Sequence, residues 1–223
     1  MKTAILHAKA VILDVDGILV DSEHHWEKAH RRALTIFGMP IDKTFYIHHG
    51  VSREPWDFYQ EVAVKNGKIL TDRTFQMIKT KRLEIYQKLQ QYEGIIPIPD
   101  AIKLVKSFAK TRKLLAVASQ VHLEEVVFTL SKIGMLSYFP IIVAGGDFGL
   151  LKKPEPDIYL KTAELLNVKP EDCVAIEDSG NGAASAVTAG MTCLVVPNKY
   201  TRSHQFPKEA IVTSFEKIAA ALQ

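Results

Sequence analysis

The sequence predicts an α/β fold in which a mainly parallel β-sheet has helices on both faces and carries an inserted helical domain. From about residue 95 onward, short apolar segments alternate with amphipathic helical patterns. This alternation is typical of right-handed β–α–β crossovers and of a parallel sheet. A similar apolar segment at residues 10–13 precedes a long region, 22–92, that contains helical patterns and no convincing strand. We therefore expect the first strand to join the later sheet and the region between them to be an insertion.

The predicted strands are short, apolar and bounded by polar or turn residues. Residues 10–13 are too few and too rich in β-branched side chains for a helix. Four later segments have the same character, and they are residues 114–118, 141–144, 173–176 and 193–196. We expect these strands to be buried on both faces of the sheet.

Amphipathic helical patterns lie between these strands. Apolar residues recur three and four positions apart within residues 101–109, within 123–130, and in a segment that begins around Pro156. The segment Gly145–Gly149 lacks the ending of a phosphate-binding loop and is predicted to be a turn.

The insertion contains three helical patterns of its own. They end at Gly38, follow Pro55, and end before Gly94. The predicted domains are a core of residues 1–20 and 94–223 and a helical cap of residues 21–93. Since both ends of the insertion return to the carboxyl edge of the sheet, we expect the cap to cover that edge and exclude water.

The composition limits the partners and the compartment. The 223 residues carry a net charge of +3 and have no dense basic block, which argues against nucleic-acid binding. The two cysteines have no framework spacing, which favours a reducing compartment. No apolar run approaches the roughly 20 residues of a membrane span, and no signal-peptide pattern opens the chain. We expect a cytoplasmic monomer without a membrane partner.

Two aspartates, Asp14 and Asp16, follow the first predicted strand. In open parallel sheets ligands bind at the carboxyl ends of the strands. Two carboxylates crowded there repel each other unless a cation or a shared proton relieves them. Asp14, nearer the strand, is the candidate nucleophile, and Asp16 is the candidate proton donor and general base. The alternative for this segment alone is a pair of solvated turn residues.

Four segments together resemble the haloacid dehalogenase-like hydrolase superfamily, in its phosphatase and phosphomutase branch. They are Asp-Val-Asp-Gly at 14–17, Ser119 at a strand end, Lys153 in Lys-Lys-Pro-Glu-Pro-Asp, and Glu177-Asp178-Ser179. They occur in the family's order, and the resemblance runs from about residue 9 to 196. It implies a three-layer, Rossmann-like core with a helical cap, and hydrolysis of a small phosphate ester through an aspartyl-phosphate on Asp14.

The resemblance also implies Mg²⁺ as the cofactor. Magnesium prefers oxygen ligands and usually keeps several waters. By the resemblance, Asp14, the backbone carbonyl of Asp16, and Asp178 are its ligands, and Glu177 contacts it through water. Taken alone, Asp178 has a structural alternative as a cap of the following helix.

Ser119 and Lys153 are the expected phosphate-binding residues. The serine hydroxyl at a strand end can hold a phosphate oxygen. The lysine precedes Pro154, which favours an extended backbone at Lys153. Its ammonium would offset the negative charge of the phosphoryl group and of Asp14.

The expected reaction is phosphatase chemistry on a sugar phosphate, with a β-phosphoglucomutase-like isomerase as the alternative. Residues 50–53 resemble the mutase cap, where Arg53 would grip a second phosphate. The mutases, however, have a lysine where His49 stands, and their cap histidine falls at Trp26 or, with a slip of one residue, at His25. The segment Asp-Ser-Glu at 21–23, followed by Trp26, instead resembles hexitol and sugar phosphatases of the family.

Two other functions fit less well. A haloacid dehalogenase needs neither a metal nor a second acid, so Asp16 and Asp178 argue against it. A silent binding module would be expected to have lost one of the four segments, and all four are present.

Overall fold

A six-stranded parallel sheet forms the centre of the fold in this computed structural model, which describes residues 1–51 and 53–223, without the side chains of Asp147 and Phe148. The strand order is β3-β2-β1-β4-β5-β6, and every neighbouring pair is parallel. The predicted α/β fold is therefore confirmed. The strands are β1 Ala10–Leu13, β2 Leu114–Ser119, β3 Ile141–Ala144, β4 Cys173–Glu177, β5 Thr192–Val195 and β6 Ile211–Val212.

The helices follow the predicted alternation. No helix in the described part of the chain has both the length and the apolar character that a membrane span requires. The helices are α1 Lys2–His7, α2 Glu23–Ile36, α3 Lys43–His49, α4 Pro55–Lys65, α5 Asp72–Glu93, α6 Pro99–Phe108, α7 Leu123–Lys132, α8 Gly145–Phe148, α9 Asp157–Leu166, α10 Gly180–Thr188 and α11 Phe215–Ala220.

The register of the sheet brings the carboxyl ends of β1, β2 and β4 side by side. Ile12 of β1 is aligned with Ala116 of β2 and with Ala175 of β4. All four residues of β1 are fully buried, as expected for a strand that has helices on both faces. Since β1 lies between β2 and β4, the residues that follow these three strands emerge close together.

The chain divides into two compact units, which we call the core unit and the helical unit. The core unit contains residues 1–21 and 96–223, and the helical unit contains residues 22–95. The helical unit consists of α2 to α5 and has its own apolar core, which includes Leu34, Phe58 and Ile78. Each unit therefore buries apolar side chains of its own.

Several elements differ from the sequence-based expectations. The helical unit has a fourth helix, α3, which is short and buries only Tyr46. The start of α3 is marked in the sequence by its N-cap residue, Asp42. The Asp42 carboxylate accepts a hydrogen bond from the backbone N–H of Phe45 at 2.7 Å. The predicted turn at Gly145–Gly149 contains one turn of helix, α8. Strand β6 has only two residues, too few to produce an apolar pattern.

We predict that Ile12→Ala destabilises the core unit by about 2–5 kcal/mol, because Ile12 is fully buried in the central strand. Urea unfolding followed by circular dichroism measures the change. Leu160→Ala is the control, since Leu160 is 42% exposed on α9 and alanine is a good helix former. A loss at Ile12 no larger than the loss at Leu160 would contradict the burial of β1.

Candidate active site

Asp14 lies directly beyond the end of β1. Its backbone N–H donates to the carbonyl of Ile176 at 3.1 Å, so the ladder with β4 extends one residue past the strand. Three residues after Asp14, Gly17 has a φ of +81°, a conformation that favours glycine. The N–H of Leu19 donates to the carbonyl of Val15 at 2.8 Å and closes a tight turn that contains Asp16 and Gly17. The sheet thus holds the backbone of Asp14, while Asp16 lies in the turn.

Lys153 joins two carboxylates from neighbouring strands. Its Nζ lies 2.8 Å from Oδ1 of Asp14 and 2.7 Å from Oε1 of Glu177. The same ammonium donates to the carbonyl of Ala118, near the end of β2, at 3.2 Å. An ammonium has three N–H donors, so these three contacts use all of them. The Lys153–Pro154 peptide bond that follows is cis.

Both carboxylate oxygens of Glu177 accept hydrogen bonds from neighbouring residues. The hydroxyl of Tyr159 donates to Oε1 at 2.6 Å, and the backbone N–H of Asp178 donates to Oε2 at 3.3 Å. A Cβ at Gly182 of α10 would overlap this carboxylate, so the absence of a side chain there makes room for it. These contacts indicate that Glu177 orients Lys153.

Neither Tyr159 nor Gly182 is among the site residues predicted from the sequence. Tyr159 belongs to the apolar stripe of α9 and is fully buried, so periodicity alone gives no signal for its hydroxyl. The signal for Gly182 is its position in the first turn of a helix that follows two acids.

Asp178 follows β4 and is hydrogen-bonded to a residue from another loop. Nδ2 of Asn198 donates to its Oδ2 at 2.7 Å. Asn198 lies three residues after the end of β5, and it is not among the site residues predicted from the sequence. The available signal was its position beyond the carboxyl end of a parallel strand that neighbours β4.

Asp14, Glu177 and Asp178 form a buried cluster in which one oxygen from each lies within 4.8 Å of the others. Burial raises the pKa of Asp14 to about 7; the ammonium of Lys153 opposes this shift, and the charges of Glu177 and Asp16 add to it. Burial lowers the pKa of Lys153, but the two carboxylates beside it raise the pKa further, so the ammonium stays charged. The cluster contains three carboxylates, and the ammonium of Lys153 contacts two of them. Carboxylate oxygens are hard donors that suit a divalent cation such as Mg²⁺.

Ser119 is the last residue of β2 and is almost fully buried. Its Oγ accepts a hydrogen bond from the backbone N–H of Val121 at 3.5 Å. The preceding residue, Ala118, accepts from Lys153. Of the residues predicted for the core site, the described contacts join Asp14, Lys153 and Glu177 directly, and Asp178 shares the carboxylate cluster.

The three residues predicted for the cap make their described contacts within the helical unit. Trp26 stacks on Tyr86 with ring centroids 3.6 Å apart. Nδ1 of His49 lies 2.7 Å from Oε1 of Glu61, and Arg53 forms an ion pair with the other oxygen of Glu61. Ser52, in the mutase-like segment, lies outside the described residues.

Comparisons with known proteins agree with this architecture. A family model described as haloacid dehalogenase-like hydrolase matches residues 11–196. A phosphorylated carbohydrates phosphatase of Thermotoga maritima is 31% identical over 82% of this chain and 82% of its own. A putative phosphatase, YhcW, of Bacillus subtilis is 29% identical over 89% of this chain and 87% of its own. The crystal structure of CbbY from Rhodobacter sphaeroides in complex with phosphate is 28% identical, with a TM-score of 0.78 over 96% of this chain and 99% of its own.

We predict that the metal-free Asp14→Asn variant gains free energy of unfolding over the unsubstituted protein, and that this gain is larger at pH 8 than at pH 4. In the folded protein Asp14 keeps its proton up to a pKa of about 7, whereas the ordinary pKa of an aspartate is 3.8. The folded state therefore binds more protons between these values, so the unsubstituted protein loses stability as pH rises through this range. Urea unfolding at several pH values measures the gap between variant and unsubstituted protein.

Mg²⁺ should reduce this gap at pH 8, since a bound cation favours the ionised carboxylate. Asp100→Asn on the surface of α6 is the control for losing a carboxylate. A gap that is equal at pH 4 and pH 8, or one that Asp100→Asn reproduces, would contradict the assigned environment of Asp14.

Proposed function

Because the chain belongs to the haloacid dehalogenase-like hydrolase family, we propose that it is a Mg²⁺-dependent phosphatase that hydrolyses a sugar phosphate or a similar small phosphorylated metabolite. The observation that carries the proposal is the contact of Lys153 with Asp14, beside the buried carboxylate cluster. A lysine in this position neutralises charge on a nucleophilic carboxylate and on an incoming phosphoryl group.

Asp14 is the proposed nucleophile. Its backbone is fixed by the hydrogen bond to Ile176, and Lys153 holds one of its carboxylate oxygens. In the first step a carboxylate oxygen of Asp14 forms a bond to phosphorus while the ester P–O bond breaks. The leaving alkoxide takes a proton from Asp16, so the alcohol leaves in its neutral form.

Asp16 also serves the second step. Having given up its proton, it accepts one from a water molecule, whose oxygen then attacks the phosphorus of the aspartyl-phosphate. The acyl-phosphate P–O bond breaks, inorganic phosphate leaves and the Asp14 carboxylate is restored. Ser119 is the proposed hydroxyl that holds a phosphate oxygen during both steps.

The carboxylate cluster fits the cofactor that the family resemblance implies. Asp14, Asp178 and the backbone carbonyl of Asp16 would hold Mg²⁺, and Glu177 would contact it through water while orienting Lys153. When bound, Mg²⁺ supplies charge neutralisation for the phosphoryl oxygens and favours the ionised form of Asp14.

The helical unit is the proposed cap, with Trp26, His49 and Arg53 as its expected substrate-contact residues. The ion pair of Arg53 with Glu61 favours the phosphatase over the mutase. A mutase would need the Arg53 guanidinium for a second phosphate, and that phosphate would have to displace Glu61. The carbohydrate-phosphate substrates named for the Thermotoga relative support a sugar phosphate.

We predict that incubation with Mg²⁺ and a panel of phosphorylated sugars, polyols and glycolate releases inorganic phosphate from at least one member. Phosphate release and product identity are followed by a colorimetric assay and by ³¹P NMR. Isomerised ester without net phosphate release would identify the mutase instead. No reaction with any member at matched Mg²⁺ would support a binding module and contradict the proposal.

We predict that Asp14→Asn lowers kcat at least about 10³-fold on the best member of the panel, because an amide cannot replace the attacking carboxylate. Circular dichroism and the melting temperature show whether the variant is folded. Asp100→Asn, the same change at an exposed site, should keep the full kcat. A folded Asp14→Asn variant with full activity would refute the nucleophile assignment.

A further inference from the structure

A neutral amide from the loop after β5 contacts a predicted metal ligand. Nδ2 of Asn198 lies 2.7 Å from Oδ2 of Asp178. We infer that Asn198 is a positioning residue, which holds the Asp178 carboxylate in the orientation that binds a divalent cation. The inference rests on the proposed function and adds to it a residue that lies outside the four family-like segments.

The orientation of the Asn198 amide is fixed by a second hydrogen bond. The backbone N–H of Tyr200 donates to Oδ1 of Asn198 at 2.8 Å. An amide oxygen accepts and an amide nitrogen donates, so a flipped side chain would oppose donor to donor at Tyr200 and acceptor to acceptor at Asp178. Only one orientation satisfies both neighbours, and it directs the N–H group at the carboxylate.

The backbone of this loop is tied down in the same place. The N–H of Asn198 donates to Oγ1 of Thr201 at 3.0 Å, and its carbonyl accepts from the N–H groups of Thr201 and Arg202 at 3.2 and 3.1 Å. The side chains of Tyr200 and Thr201 are almost fully buried. Asn198 therefore starts from an anchored loop and cannot easily turn away from Asp178.

Gly17 confines the Asp178 carboxylate from another side. A Cβ built at Gly17 would overlap the carboxylate of Asp178 and would lie 3.0 Å from Nδ2 of Asn198. The backbone of the turn after β1, the carboxylate and the amide are thus packed against one another. This packing leaves Asp178 little rotational freedom while Asn198 is in place.

Asn198 is uncharged, which suits a residue that orients a metal ligand such as Asp178. Lys153 neutralises part of the charge on Asp14, whereas an amide orients Asp178 without adding a positive charge that would oppose the cation. Residues that orient metal ligands typically contribute about 10–100-fold in metal affinity or activity. We expect Asn198 to act within this range.

The test measures Mg²⁺ binding by isothermal titration calorimetry, without substrate, on the unsubstituted protein, Asn198→Ala and Asn198→Ser. Serine can accept the Tyr200 N–H as a local turn residue but is too short to reach Asp178, so it isolates the contact with the carboxylate. Both variants should raise the Kd for Mg²⁺ about 10-fold or more. Lys199→Ala is the matched control, because Lys199 lies in the same loop and pairs with Asp21 instead.

A second readout separates positioning from a general structural effect. With the best substrate, the Mg²⁺ concentration for half-maximal activity should rise by the same factor as the Kd, while kcat at saturating Mg²⁺ recovers to near the unsubstituted value. The melting temperatures of the metal-free variants show that they are folded.

Each outcome has a distinct meaning. Folded variants that bind Mg²⁺ as tightly as the unsubstituted protein would overturn the role of Asn198 and leave the proposed function intact. An equal loss in Lys199→Ala would also overturn it, because the effect would then belong to the loop. Absence of Mg²⁺ binding in the unsubstituted protein would overturn the metal site, and this inference with it.

Discussion

The buried ammonium of Lys153 is the interaction on which the rest of the core site depends. It connects the residue after β1 with the last residue of β4, and it also contacts the end of β2. Removing one partner from a buried charge cluster is costly, typically about 3–5 kcal/mol, because the remaining charges have no compensation. Lys153 therefore stabilises the convergence of three strands and, in the proposed reaction, the charge on the nucleophile.

The sequence predicted the parts of the site that follow strands. Apolar β-branched segments located β1 and β4, and a parallel sheet places the residues after them at one edge. Asp14 and Asp178 could thus be predicted to lie close together, and the buried carboxylate cluster contains both. Lys153 could be named only by the family resemblance, because it belongs to a loop and no periodic pattern fixes where its side chain lies.

Other residues could not be predicted because their role depends on tertiary contacts. Tyr159 has the same burial and spacing as the apolar residues of α9, so only its hydrogen bond to Glu177 distinguishes it. Asn198 contacts Asp178 because of the local conformation of the loop after β5. In the helical unit, α3 contributes one buried side chain, which is too little for a hydrophobic period.

The position of β1 in the sheet has a consequence for the order of folding during synthesis. Although β1 is the first strand to be made, it pairs with β2 and β4, and the contact of Asp14 with Lys153 spans 139 residues. Contacts of such high contact order form late, because a long loop must close before they are gained. A nascent chain that still lacks β4 would expose one edge of β1, whose four residues are all buried in the complete fold. The ribosome-bound intermediate, more than the folded protein, is therefore the species that would need protection by a chaperone.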